Sequence, residues 1–198
     1  LEKEILGLYK ENKMIASLHG ILIDKDNLSV VVECGGVGLR CLVTAVTSAS
    51  LPPVGQEVFL YTHFAVREDS MDLYGFFEKS ELDIFRLLTS VSGVGPKIGL
   101  ALLSQFTADN ILLFIASGDA KSLTAANGVG KKMAEKIAVI SKIGQVLCIT
   151  HLPQIAAFAD RHIFIEKQSS DGRTATVLEV LDEERRIREL MRMTAGTS

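Results

Sequence analysis

Two short glycine turns stand out as residues able to do chemistry. Ser92-Gly93-Val94-Gly95-Pro96-Lys97 and Asn127-Gly128-Val129-Gly130-Lys131-Lys132 lie thirty-five residues apart, each between helix-like amphipathic stretches. A Gly-x-Gly turn that opens a helix presents bare backbone N–H groups with no side chain in the way. The helix start adds unpaired donors and a partial positive charge, so the ligand such a turn suits is an anion such as a phosphate. Lys97, Lys131 and Lys132 supply counter-charge behind the second glycines. A single Gly-x-Gly before a helix is usually only a tight turn, and a single lysine usually only a solvated one. Two copies at one offset favour two phosphate contacts along a nucleic-acid backbone, through Gly93, Val94, Gly95 and Lys97 in the first and Gly128, Val129, Gly130, Lys131 and Lys132 in the second.

Charge limits how such a contact is made. The 198-residue chain has a formal net charge of −3, so a generally basic surface is excluded and any nucleic-acid contact is local. Composition, with 47% hydrophobic and 23% charged residues, is that of a globular protein with room for one large or two small domains. Cys34, Cys41 and Cys148 are odd in number, widely spaced and in apolar contexts, which reads as reduced buried thiols rather than a disulfide or zinc site. His19, His63 and His162 share no metal-ligand spacing. No Ser/His/Asp, Cys/His or paired-carboxylate arrangement marks a catalytic centre, and no G-x-x-x-x-G-K-[ST] marks a nucleotide site. The expectation is therefore a protein without catalytic residues, metal or cofactor. No run is long enough for a membrane span, and Leu1–Lys13 is too charged for a signal peptide, so a cytoplasmic location is expected.

The elements that must position these turns follow from periodicity. Residues 1–13 read as a charged leader. Residues 14–77 are strand-rich, with runs Ile15–Ile23, Leu28–Glu33, Val37–Val43, Glu57–Val66 and Met71–Phe76 punctuated by Asp24–Asn27, Gly35-Gly36 and Pro52–Gly55. Short antiparallel strands in this span predict a small closed barrel of the OB type. Residues 78–141 switch to helical period, with Leu82, Phe85, Leu88 and Val91 on one face. Helices are predicted over Pro96–Phe106, Ala108–Ser117 behind Thr107, Ala120–Ala125 behind Asp119, and Lys131–Ser141. That is helix–hairpin–helix, repeated. Residues 142–198 change again: Gln145–Thr150 reads as a buried strand, Ile155–Ala159 as a helix, His162–Glu166 and Thr174–Val180 as strands around a Ser169–Gly172 turn, and Asp182–Met193 as a charged helix. The fold class is α+β, ending in a partial α/β segment.

From about residue 14 to 137 the chain resembles the RuvA family. The stretches MIASLHGILI, VECGGVGLRC, Tyr61 to Asp69 (YTHFAVRED), Leu73-Tyr74-Gly75-Phe76, SGVGPKIGLALLS and GVGKKMAEKI carry the resemblance, in order and at suitable spacing. It implies structure-specific binding of four-way (Holliday) DNA junctions in recombination and repair, as the non-catalytic DNA-recognition subunit of a branch-migration complex. It also implies a homotetramer, with a separate RuvB-type ATPase motor as partner. The family's acidic pin maps onto Glu68 and Asp69, which out of this context would be an ordinary solvated hairpin tip. Arg67 beside them is available either to contact DNA or to pair with the pin. Asn127 replaces the proline usual before the second Gly-x-Gly, a position where asparagine still permits the turn.

From about residue 134 to 196 the chain instead resembles the end of RecN, a DNA-repair ATPase. AEKIAVISKIGQVLCITHLPQIAAFADRHIFIEK and DGRTATVLEVLDEERRIRELMRMTAG carry that resemblance. His151 would then lie near an ATP γ-phosphate, although the upstream nucleotide-binding segments are missing and a loop histidine without function is the simpler reading. The chain thus reads as a chimera in which the RuvB-docking domain is absent. The alternatives to junction recognition are a RecN-type ATPase-associated fragment and a fusion without function.

Overall fold

The structure is a computed structural model that describes residues 14–140, 150–170 and 173–195. Five strands close a barrel: β1 (Ser17–Lys25), β2 (Ser29–Cys34), β3 (Val37–Val43), β4 (Glu57–Val66) and β5 (Met71–Phe76), in the order β1-β2-β3-β5-β4. Alternation decides which side chains point inward. Leu18, Leu22, Val30, Val32, Cys41, Val43, Val58 and Leu60 fill the interior. A bulge between Leu22 and Asp24 lets β1 bend and pair with both β2 and β4.

Two features depart from the sequence expectation. The β3–β5 pair is parallel, Leu42 opposite Tyr74 and Val43 opposite Gly75, because the chain crosses over through β4 before closing the barrel. A short helix, α1 (Ala45–Ser50), occupies the start of that crossover. It is capped by Thr44, whose hydroxyl accepts the Thr47 N–H at 2.9 Å.

The helical part comprises α2 (Lys79–Thr89), α3 (Pro96–Gln105), α4 (Ala108–Ser117), α5 (Ala120–Leu123) and α6 (Lys131–Ala138). Leu82, Phe85 and Leu88 are buried as their spacing requires, but α2 stops at Thr89 and Val91 lies beyond it, half-buried. Thr107 and Asp119 cap α4 and α5 as expected. α5 is shorter than predicted, ending at Leu123. A second core, separate from the barrel interior, joins barrel to helices: Tyr74 and Phe76 of β5 pack with Phe85, Leu88, Leu102, Ile111 and Ile137. Phe85 is the hub, its ring centroid 5.0 Å from Phe76, 5.2 Å from Tyr74 and 5.4 Å from His63.

In the C-terminal segment α7 (Pro153–Ala156) precedes the antiparallel hairpin of β6 (Ile163–Ser170) and β7 (Arg173–Val180), and α8 (Glu183–Ala195) follows. α7 begins two residues earlier than predicted, because Pro153 is preset for a first helical turn. The hairpin strands run further than predicted, leaving only residues 171–172 between them. The strand expected over Gln145–Thr150 lies, apart from Thr150, outside the described residues, as does the charged leader expected over residues 1–13. Arg185 of α8 pairs with Glu179 of β7. The opposite face of the hairpin carries Ile163, Ile165, Leu178 and Val180, all exposed.

Among the described residues no single helix is long and apolar enough to cross a membrane; Pro96–Gln105 and Ala108–Ser117 pass that test only as a pair bent by 103°.

Candidate nucleic-acid interface

The thirty-five-residue repeat of the sequence is also a repeat of geometry. Each turn closes through the same bond, Val94 N–H to Val91 C=O at 2.9 Å and Val129 N–H to Ala126 C=O at 3.1 Å. Each following helix starts on the second glycine: Gly95 C=O accepts from Ile98 and Gly99, and Gly130 C=O from Met133 and Ala134. The helix ends that lead in match as well, Thr89 donating to Arg86 C=O and Thr124 to Lys121 C=O. Asp119 holds the approach to the second turn. Its carboxylate accepts from the Ser122 hydroxyl at 2.6 Å and the Ser122 N–H at 3.1 Å, and these bonds, the hydroxyl's first, hold it below the usual carboxylate range.

Within each turn the two glycines do different work. The first, Gly93 with φ +92° and Gly128 with φ +81°, adopts a backbone conformation that other residues avoid. The second, Gly95 and Gly130, is extended at φ −88° and −77° and serves as helix N-cap. A Cβ added at either would meet nothing within 4 Å. Neither backbone angle nor space at the Cβ position therefore imposes glycine at 95 or 130.

The turns leave donors free. Among the described residues, no acceptor is found for the N–H groups of Gly95, Lys97, Gly130, Lys131 and Lys132. Val94 and Val129 differ from expectation. Their side chains are buried at 5% and 6% exposure and their N–H groups are used inside the turn. They anchor the turns in the helical core, because an apolar residue between two glycines gains more by burial than by facing an anion.

The lysines Lys97, Lys131 and Lys132 are exposed and form no ion pair among the described residues. The sequence reading missed a fourth. Lys136, on the second turn of α6, crosses to the first hairpin, where its Nζ stands 4.0 Å from the position a Gly93 Cβ would take. Conversely, Ile98 of α3 packs 3.2 Å from the corresponding point on Gly128. The two turns are thus held side by side, with Lys136 serving the opposite one.

Glu68 and Asp69 form the exposed tip between β4 and β5, clamped by Val66 opposite Met71 and by Arg67 N–H to Ser70 C=O at 2.8 Å. Neither carboxylate has a partner among the described residues, and Arg67 pairs with neither. Among the described residues no group of three His, Cys, Asp or Glu could hold a metal.

A closed five-stranded barrel followed by tandem helix–hairpin–helix defines the class of fold: an OB-like barrel joined to a tandem hairpin domain. Comparison makes this more particular. Residues 14–75 match the RuvA N terminal domain, and residues 85–142 match the SAM-like helix-hairpin-helix tandem. These two segments are therefore a RuvA-type N-terminal domain and a tandem hairpin domain. Similar curated proteins include those of Marinobacter nauticus (43% identical over 135 residues, 67% of this chain and 65% of the relative), Corynebacterium jeikeium (49% over 126 residues, 64% and 59%) and Chromobacterium violaceum (48% over 124 residues, 63% and 63%). Each is named Holliday junction branch migration complex subunit RuvA. The chain spans 59–65% of the length of the curated relatives it matches.

Proposed function

We propose that this protein binds four-way DNA junctions without catalysing a reaction on them, as the DNA-recognition subunit of a branch-migration complex. The observation that carries the reading is the pair of open glycines, Gly95 and Gly130: each has ordinary backbone angles and empty space at its Cβ position, and each is flanked by unspent N–H donors and unpaired lysines. Contacts of this kind hold phosphates and carry no base information. The DNA-binding set is the N–H groups of Gly95, Lys97, Gly130, Lys131 and Lys132, with Gly93 and Gly128 shaping the turns and Lys136 added. Glu68 and Asp69 act as the pin: carboxylates at the junction centre repel phosphate and keep the strands apart.

The reading divides the chain into a barrel over 14–77, a DNA-binding domain over 78–141 and a C-terminal segment over 142–198. It carries a homotetramer with four pins at one centre, a separate ATPase motor of the RuvB kind as partner, and a cytoplasmic place of action. The RecN likeness of residues 134–196 gains no support from the family models, which end at residue 142, and a RecN-type ATPase-associated role is the weaker reading.

The test is a gel shift of the full chain on a synthetic four-way junction and on linear duplex of equal length, with salt varied. Junction preference that ignores sequence and weakens with salt is expected. Equal affinity for the two DNAs, or no binding, overturns the reading, the latter being what a non-functional fusion would give.

A further inference from the structure

Glu81, on the first turn of α2, is only 7% exposed and makes no ion pair among the described residues. Its neutralising contacts come from hydroxyls of the barrel side. Thr44 Oγ1 donates to Oε1 at 3.2 Å and Thr47 Oγ1 to Oε2 at 2.8 Å, while the Glu78 N–H reaches Oε2 at 3.4 Å. Both hydroxyls are oriented from behind. Thr44 Oγ1 accepts the Thr47 N–H, and Thr47 Oγ1 accepts the Phe77 N–H at 3.2 Å, so each has its single proton left for the carboxylate. The same N-terminal turn of α1 closes the joint, with Ala45 N–H donating to Ser104 Oγ of α3 at 3.1 Å.

A buried carboxylate is a costly way to join two domains whose shared core is already apolar. What it adds is direction, since charge-assisted hydrogen bonds are short and angular whereas apolar packing is not. The joint lies between the pin, carried by the barrel, and the hairpins, carried by α3 and α6. Duplex binding needs only the hairpins. Choosing a junction needs the pin at a set distance from them.

We infer that Glu81, held by Thr44 and Thr47, is a positioning residue that sets junction selectivity by fixing the barrel's pin against the hairpins; this rests on the junction-binding reading above. The experiment compares Thr47→Val, which keeps shape and removes the hydroxyl, with Thr47→Ser, which keeps the hydroxyl, and with Glu81→Gln. Affinities for four-way junction and equal-length duplex are measured for the full chain, with amide exchange at Phe77 and Ala45 in free protein. Thr47→Val and Glu81→Gln should leave duplex affinity unchanged and lower junction preference about tenfold, the order of one charge-assisted hydrogen bond. Thr47→Ser should restore the preference, and only Thr47→Val and Glu81→Gln should speed exchange at the two amides. Preference retained in Thr47→Val and Glu81→Gln, loss of duplex and junction binding together, or a Thr47→Ser as impaired as Thr47→Val each overturns the inference while leaving junction binding by the wild type intact. A wild type without junction preference overturns the functional reading, and this inference with it.

Discussion

The ring of Phe85 lies directly on Gly99. A Cβ built on that glycine stands 3.0 Å from Phe85 Cδ2 and 3.1 Å from Cε2. Phe85 is wholly buried and boxed in by His63, Tyr74 and Phe76, so it has no room to yield. Through this one contact the β5 aromatics that follow the pin bear on the first helix after a hairpin. Gly99→Ala should gain up to about 1 kcal/mol in helix propensity and lose about 1–3 kcal/mol to overpacking, for a net fall in stability. Urea unfolding checks it: a midpoint at or above wild type means the ring gives way.

The glycines of the hairpins should separate by function. Gly93→Ala and Gly128→Ala force a strained backbone angle and should cost about 1–2 kcal/mol of stability each. Gly95→Val and Gly130→Val should lose no more than about 1 kcal/mol of stability, valine being a poorer N-cap than glycine, yet bind DNA about tenfold more weakly, since one hydrogen bond to a phosphate is worth that order. Melting curves beside filter binding decide the matter; unchanged affinity in both valine variants removes the hairpins from the interface.

The exposed lysines should act uniformly across sequences. Replacing Lys97, Lys132 or Lys136 by Gln should reduce the slope of log affinity against log salt by about 1 for each phosphate no longer neutralised. A slope that stays constant for Lys136→Gln would show that its position by the first turn is fortuitous.

Neutralising the tip, Glu68→Gln with Asp69→Asn, should preserve affinity while relaxing selectivity between four-way junction and duplex. Neither side chain supports the fold, so the melting temperature should not move. Identical selectivity in the double variant removes the pin role.

Burial pushes the Cys41 thiol up from 9.0 to about 12, with Cys34 nearby adding to the effect. The unfolded chain releases this proton near the lower value and the folded chain retains it. Stability is therefore full below pH 9 and falls as pH climbs from about 9 towards 12. Cys41→Val, similar in volume, should remove part of that alkaline loss. Parallel melting curves of the two proteins between pH 8 and 11 would show the idea to be wrong.

The sequence was most legible where signals were local. The bounds of β3, β4 and β5 match their predicted runs: Gly35-Gly36 opens β3, Pro52–Gly55 precedes β4, and the polar run Arg67–Ser70 separates β4 from β5. Capping by Thr107 and Asp119 was legible because a cap needs only its next three residues. What could not be read depended on distant partners. Ala45–Ser50 is rich in serine and β-branched residues and shows no helical period. It becomes α1 because Thr44 caps it and Glu81, thirty-four residues past Thr47, takes the Thr47 hydroxyl. The parallel β3–β5 pair joins strands that are not neighbours in the chain. Lys136 sits near Gly93 only once α6 packs beside α3, and Val94 and Val129 reveal themselves as core only when their burial is seen. Glu81 reads in sequence as a helix-capping acid, which it also is.

The free N–H groups at Gly95 and Gly130 act only at contact distance, and the chain around them carries a formal charge of −3. Its far field does not draw DNA in, so encounter is not accelerated by long-range steering. On the proposed junction-binding function, affinity would come from long residence once the amides engage. Added salt should then shorten the lifetime of the complex far more than it slows its formation.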